Sequence, residues 1–231
     1  MGTLRGSRLI IAGAGGFGRE LAAYARDAGF VVAGFLDDDA GSAACLDGAD
    51  RDAGVLGTIG GYVPRDDDEV AVGIGHIATR LRIAERLIDR GARLASVVHP
   101  SAWIAPTASL GVGVAVAPYA CVGPGVTVGD LSLINTYASL GHDAVVGRCC
   151  VLASYSVATG HSVLEDEVFL ATHAVVVPGQ KIGAQARVSA GAVVFHDVPS
   201  GCLAAGNPAR ARPVPEGRPA REEASSKPPV P

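Results

Sequence analysis

Aromatic residues make up only 5% of the 231, with a single Trp. The core therefore cannot be organised around large rings and must be filled by Val, Ile, Leu and Ala, which dominate the 48% apolar content. Long hydrophobic runs are also missing. Nothing approaches the roughly 18 apolar residues needed to cross a bilayer. In the opening MGTLRGSRLIIAGAGG, the apolar stretch Leu9–Ala12 stops at glycines, too soon for the h-region of a signal peptide. No Lys/Arg run is interleaved with aromatics and the net charge is −4, which excludes the basic footprint of a nucleic-acid binder. No C-x-x-C pair occurs among Cys45, Cys121, Cys149, Cys150 and Cys202. That odd set fits neither a disulfide framework nor a zinc site, and a reducing cytoplasm is the expected compartment. No metal-ligand cluster, Ser-His-Asp order or cysteine with a paired base stands out.

Glycine, by contrast, is abundant, with 31 residues. The first stretch reads as alternating strands and helices: strand Leu9–Ala12, helix Arg19–Ala28, strand Val31–Leu36, loop 40–54, strand Glu69–Ile74, helix Ile77–Arg90 and strand Leu94–Val98. Such alternation implies a parallel sheet. Between the first strand and helix lies GAGGFG, a G-x-G-x-x-G turn (Gly13, Gly15, Gly18), with Asp37 closing the next strand. Glycines there let phosphates approach the backbone and the helix N-terminus. Alone, the turn points to NAD and a redox enzyme, although about 95 residues are few for a full dinucleotide domain.

Beyond this stretch a period of six takes over. From Ile104 each sixth residue is Ile, Leu or Val through Val194, with Ala158 the one exception. A second track, two residues earlier, runs from Ala102 to Ala192 and is small or β-branched except at Gln180. Two phased tracks over about 90 residues are the signature of a solenoid. Three six-residue units close one 18-residue coil. The large aliphatic points inward and the small residue is expected to turn the corner. Residues 18 apart then stack at about 4.8 Å. After Val194 the segment FHDVPSGCLAAGNPARARP leaves the period and should cap the last coil. The expected organisation is an α/β unit over 8–98, a solenoid over 99–210 and a disordered tail over 211–231.

The repeat, with GNPAR (Gly206–Arg210), GAGGFG, FLDDD (Phe35–Asp39), VGIGHIATR (Val72–Arg80) and VVHPSAWIAPTASLG (Val97–Gly111), resembles the hexapeptide acyltransferases. Within them it is most similar to the sialic-acid O-acetyltransferase and nucleotide-sugar N-acetyltransferase group of the bacillosamine type. The resemblance covers residues 8–210. It implies a Rossmann-like domain before a left-handed parallel β-helix, a cytoplasmic homotrimer with sites between neighbouring β-helices, acetyl-CoA as donor and a nucleotide-linked amino sugar as acceptor. It implies no metal, nucleic acid or membrane partner.

The resemblance also assigns roles. NTYASLGHDAVVG (Asn135–Gly147) resembles the segment carrying the general base, here His142. An imidazole suits proton removal near neutral pH. Repeat phase alone makes His142 an outward, solvated corner residue. Asp143 could orient its ring. His161, 18 residues after Asp143, is placed one rung above it, as a competitor, a relay member or a structural partner. Gly160 is either a corner glycine or the N–H donor facing the thioester oxygen. Thr172, Ala190 and Gly191 match other acetyl-CoA contacts. Gly13, Ala14, Gly15, Gly16, Phe17, Asp37, Asp38 and Asn135 are implied to hold the acceptor. Where the family has a histidine that contacts acetyl-CoA nine residues after the base, this chain has Val151, so that contact does not carry over. His99 and His173 are read as structural and as a solvated corner. The reaction expected is acetyl transfer to an amine. Transfer to a sugar hydroxyl, transfer of a longer acyl group, and a non-catalytic sugar-nucleotide binder are the alternatives.

Overall fold

The computed structural model describes residues 8–39 and 41–214. Strand β1 (Arg8–Ala12) leads into helix α1 (Gly16–Asp27), followed by β2 (Val31–Leu36), α2 (Gly48–Ala53), β3 (Val55–Gly57), β4 (Asp68–Val72), α3 (Ile77–Ile88) and β5 (Arg93–Leu94). The strands form one parallel sheet in the order β3-β2-β1-β4-β5. Leu9 and Ile11 face one core with α1, whereas Ile10 and Ala12 face another with α3. That alternation is what a strand covered on both faces requires. Connections leave β1 in opposite directions, so the turns after β1 and β4 face each other at a topological switch point. Ligands bind there in open α/β sheets.

Two expectations need correction here. The stretch 40–54 is more than a loop: a short 3-10 turn (Ser42–Cys45) and α2 bring the chain back to edge strand β3. Asp50 of α2 is tied to Arg26 of α1 at 2.6 Å. The strand expected over Leu94–Val98 is split between two sheets. Ala95 N–H still bonds to Val70 in the α/β sheet, but Val97 N–H bonds to Val114 and Val97–Val98 pair with Ala115–Val116. Ser96 forms the seam. Its hydroxyl donates to the Gly111 carbonyl and accepts from Val114 N–H.

From Val97 the chain winds as a left-handed β-helix of two-residue strands, in parallel sheets of six, five and eight strands; only the closing pair of the eight-stranded sheet is antiparallel. Paired residues lie 18 apart in the sequence, as Val122 does from Leu140 and Leu140 from Ala158. The inward aliphatics Val122, Ile134, Leu152, Leu164 and Val188 are fully buried in one continuous column. Burying each contributes about 1.5–3 kcal/mol. The small track is buried too, so it does not make the turn. The turn falls one residue earlier, where ten non-glycine residues adopt left-handed φ near 60°. The small residue is needed because the chain doubles back over it.

The sheet containing Leu133, Val151 and Phe169 packs against α1, so one apolar cluster runs from Leu9 and Leu21 into Ala115, Leu133 and Val151. On the other side of the α/β sheet, corner residues Leu131 and Cys149 join the cluster under α3. The last coil is closed by Cys202–Ala205, which pairs antiparallel with Arg210–Pro213 around GNPAR. Residues 211–213 are therefore strand and not tail, because they protect the open sheet edge. The rest of the expected tail, 215–231, lies outside the described residues. Among the described residues no helix is long and apolar enough to cross a membrane.

Candidate active site

One corner of the β-helix carries Asp143 and His161 on successive rungs, linked through a hydrogen bond from His161 N–H to the His142 carbonyl (2.9 Å). Left-handed φ at Asp143 and His161 (58° each) turns both side chains outward. His142 Nδ1 lies 2.9 Å from Asp143 Oδ2, and His161 Nε2 lies 3.9 Å from the same oxygen. The two rings meet edge to face with centroids 4.9 Å apart. The expected adjacency of Asp143 and His161 is thus present, and the carboxylate serves His142 first. With Nδ1 turned to Asp143, Nε2 is the nitrogen free to take a proton.

Gly160 lies beneath the His142 ring. A Cβ there would sit 2.6 Å from His142 Nε2 and 2.8 Å from Cε1, so only glycine leaves room for the imidazole in this pose. Its carbonyl accepts from Gly179 N–H, whereas its own N–H has no acceptor among the described residues. That is the state an oxyanion donor requires. His142, Asp143 and His161 also form a group whose ligand atoms lie within 4.8 Å of one another. They offer three exposed ligands, whereas a structural zinc site is closed by four.

Thr172, Ala190 and Gly191 lie on a different corner, where Gly191 N–H bonds to the Thr172 carbonyl. One face of the β-helix, with Ser139, Val157, Val175 and Val193 pointing outward, separates that corner from His142. A single chain does not bring the two sets together. Asn135 is on the Thr172 side, next to Thr136, whose side chain lies near Tyr24 of α1. Val151 is buried in the contact with the α/β domain.

This second corner holds a feature the sequence reading missed. Tyr119, Tyr137, Tyr155 and His173 stack with centroids 4.9–5.1 Å apart. The three tyrosines are 45–58% exposed. His173 thus ends an aromatic ladder and is more than a solvated corner. The 18-residue spacing of the four rings was the available signal. His99, as expected, is structural: it bridges Asp27 (3.1 Å) and Ser101 (2.7 Å).

In the α/β domain, Gly13 (φ 107°) lets the chain leave β1 against the Gly73 carbonyl. Asp37 Oδ2 accepts from Ala14 N–H (2.7 Å), and its other oxygen accepts from Asp39 N–H, so Asp37 shapes the turn. Asp38 accepts from Gly60 N–H at 3.3 Å. Gly15 and Gly16 open α1 with no side-chain cap, leaving the first N–H groups available to an anion. Phe17, in the first turn of α1, packs partly buried at the margin of the core. Cys149 and Cys150 are held as thiols: burial raises the Cys149 thiol and pushes Cys150 up to about 12.

A β-helix with a His–Asp pair at an exposed corner, fronted by a small phosphate-ready α/β domain, defines an acyltransferase of the hexapeptide-repeat class. The known proteins agree. Residues 8–87 match the PglD N-terminal domain family. PerB from Caulobacter crescentus, solved with CoA and GDP-perosamine, is 31% identical, with a TM-score of 0.82 over 91% of this chain and 100% of PerB. The acetyltransferase domain of PglB from Neisseria gonorrhoeae, solved with acetyl coenzyme A, is 28% identical, with a TM-score of 0.81 over 89% of this chain and 99% of that domain. The curated 2,3,4,5-tetrahydropyridine-2,6-dicarboxylate N-acetyltransferase of Staphylococcus aureus is 44% identical over 48 residues, so the chain spans only 20% of that relative's length. The chain belongs to the hexapeptide-repeat acetyltransferase family.

Proposed function

We propose that this protein transfers the acetyl group of acetyl-CoA to an amino group of a nucleotide-linked sugar, with His142 as general base. The observation that carries the reading is His142 held between Asp143 and Gly160 on an exposed corner, its Nδ1 engaged by the carboxylate. His142 removes a proton from the amine as it attacks the thioester carbonyl. Asp143 stabilises the imidazolium that results. The N–H of Gly160 donates to the oxygen that gains charge, and the tetrahedral intermediate then collapses to amide and CoA thiolate. The acceptor's phosphates lie at the N-terminus of α1, against Gly13–Phe17, with Asp37 and Asp38 nearby. The five free cysteines suit the cytoplasm. Incubating nucleotide-linked 4-amino sugars with several acyl-CoAs and weighing the products tests the reading. An ester or a longer acyl group on the product would redirect it to one of the alternatives, and no acyl product would overturn it.

The separation of Thr172, Ala190 and Gly191 from His142 supports a homotrimer in which acetyl-CoA lies between the corner of one chain and that of its neighbour. The exposed tyrosine ladder, on the same corner as Thr172, gives that contact an apolar rim. Light scattering at micromolar concentration should give three times the 23.2 kDa chain mass. A monomer mass would contradict the shared site.

The division of labour between domains has its own test. A Cβ at Gly15 meets nothing within 4 Å, so Gly15→Val leaves the fold intact and collides only with what the turn binds. Acceptor KM should rise by about tenfold or more, a loss above about 1.4 kcal/mol, with CoA affinity unchanged by calorimetry. A parallel fall in CoA affinity would show that the two ligands do not use separate domains.

A further inference from the structure

Arg80, in the first turn of α3, is 1% exposed, and among the described residues no carboxylate accepts from it. Its five N–H groups go to five backbone carbonyls. Nη1 donates to Ile74 (3.0 Å) and Gly75 (2.9 Å), in the turn after β4. Nε donates to Leu131 (3.0 Å), and Nη2 donates to Cys149 (3.2 Å) and Cys150 (3.5 Å), on the β-helix. A buried cation is costly unless every donor is matched, and the planar fork of arginine is the one side chain able to match five.

The two groups of carbonyls belong to the two halves of the proposed site. On one side, the turn after β4 is in backbone contact with the glycine turn. A Cβ on Gly73 would lie 2.6 Å from Gly18 Cα and 3.3 Å from the Gly13 carbonyl oxygen, so the two turns move together. On the other side, Leu131 and Cys149 occupy one corner on successive rungs, linked through a hydrogen bond from Cys149 N–H to the Asp130 carbonyl. The coil that runs from Leu131 to Cys149 is the one that carries His142 and Asp143.

We propose that Arg80 is a positioning residue that fixes the acceptor-binding turn relative to the catalytic coil, and thereby sets where the acceptor amine stands with respect to His142. This rests on the acetyl-transfer reading of the site. Arg80 touches neither substrate nor reacting atoms. It acts by locking two backbones, and a misplacement of about 1 Å between reacting groups costs about 10²-fold in rate.

Arg80→Lys keeps the charge but has three donors on a point charge, too few for five carbonyls in two domains. Its kcat per CoA-binding site should fall by about 10- to 100-fold, while CoA affinity, measured by calorimetry, stays within about twofold. Backbone amide exchange at 73–77 should rise. A purely structural role would lower the number of CoA-binding sites and leave kcat per site at the wild-type value, and that outcome overturns the proposal. Arg80→Met, which retains apolar length but no donor, should show the larger loss if it folds; if it does not fold, the lysine variant decides alone. Should the wild type acetylate no nucleotide sugar, the acetyl-transfer reading fails and the lock is judged by exchange. Unchanged protection at 73–77 in Arg80→Lys then removes it.

Discussion

Replacing His142 with alanine is expected to lower turnover by about 10²- to 10⁴-fold, the usual worth of a positioned general base. The variant should fold normally, because the side chain is 61% exposed and fills no part of the β-helix column. It should bind acetyl-CoA as the wild type does, since Thr172, Ala190 and Gly191 lie on another corner. Initial rates at saturating donor, alongside a thermal melt, check both halves of the expectation. Asp143→Asn should cost less. Asparagine tolerates the left-handed backbone of that corner and can still orient the ring, but it cannot stabilise imidazolium. A loss of threefold or less in His142→Ala would be under about 1 kcal/mol, too small for a base. His161, which shares the Asp143 carboxylate, would then be tested next.

Gly160→Ala should be nearly as damaging, for a different reason. The added methyl would come within 2.6 Å of Nε2, and the group that yields is the exposed end of the imidazole. Stability should therefore change little while the base is driven out of position, with a fall in kcat of about 10²-fold. Combining the substitution with His142→Ala separates its two possible effects. If Gly160 acts only by seating the ring, the double variant is no slower than His142→Ala. A further loss in the double variant would mean that the Gly160 N–H is itself disturbed, and would support its place as the oxyanion donor.

The solenoid was legible because its physics is repetitive. Each six-residue unit buries one large aliphatic, so Leu140, Val146 and Leu152 advertise the coil without help from distant residues. Stacking arithmetic alone puts His161 beside Asp143. What escaped lacked such local marking. Leu94–Val98 is apolar except for Ser96, and only the bonds made by that serine show that the run serves two sheets. Helix α2, GADRDA, has no apolar period, and it is held by the pairing of Asp50 with Arg26. The small track at Ala138, Ala144 and Cys150 is visible but misleading, since burial and the turn fall on neighbouring residues. Arg80 stands in a motif of the family resemblance, yet nothing in a sequence announces that a guanidinium will reach carbonyls 51 and 69 residues away. The two corners that complete one groove also belong to different chains in the proposed trimer, which a single sequence displays only as separate positions.

A backbone that turns the same way every sixth residue can use glycine, which enters the left-handed region freely, or a side chain, at about 1–2 kcal/mol. Near the ends of the stack the chain uses Gly113, Gly125, Gly179 and Gly191, whereas from Leu131 to His173 every corner carries a side chain. The central coils therefore accept a handicap that the outer ones avoid. Adding one 18-residue coil beyond Gly191 would lengthen the prism and leave these corner groups stacked. The same edit in the middle would part Asp143 from His161, interrupt the stacked tyrosines and draw Leu131 away from Cys149 beneath Arg80. Solenoids grow and shrink readily by whole repeats, but the middle of this one is frozen in copy number by what its corners hold.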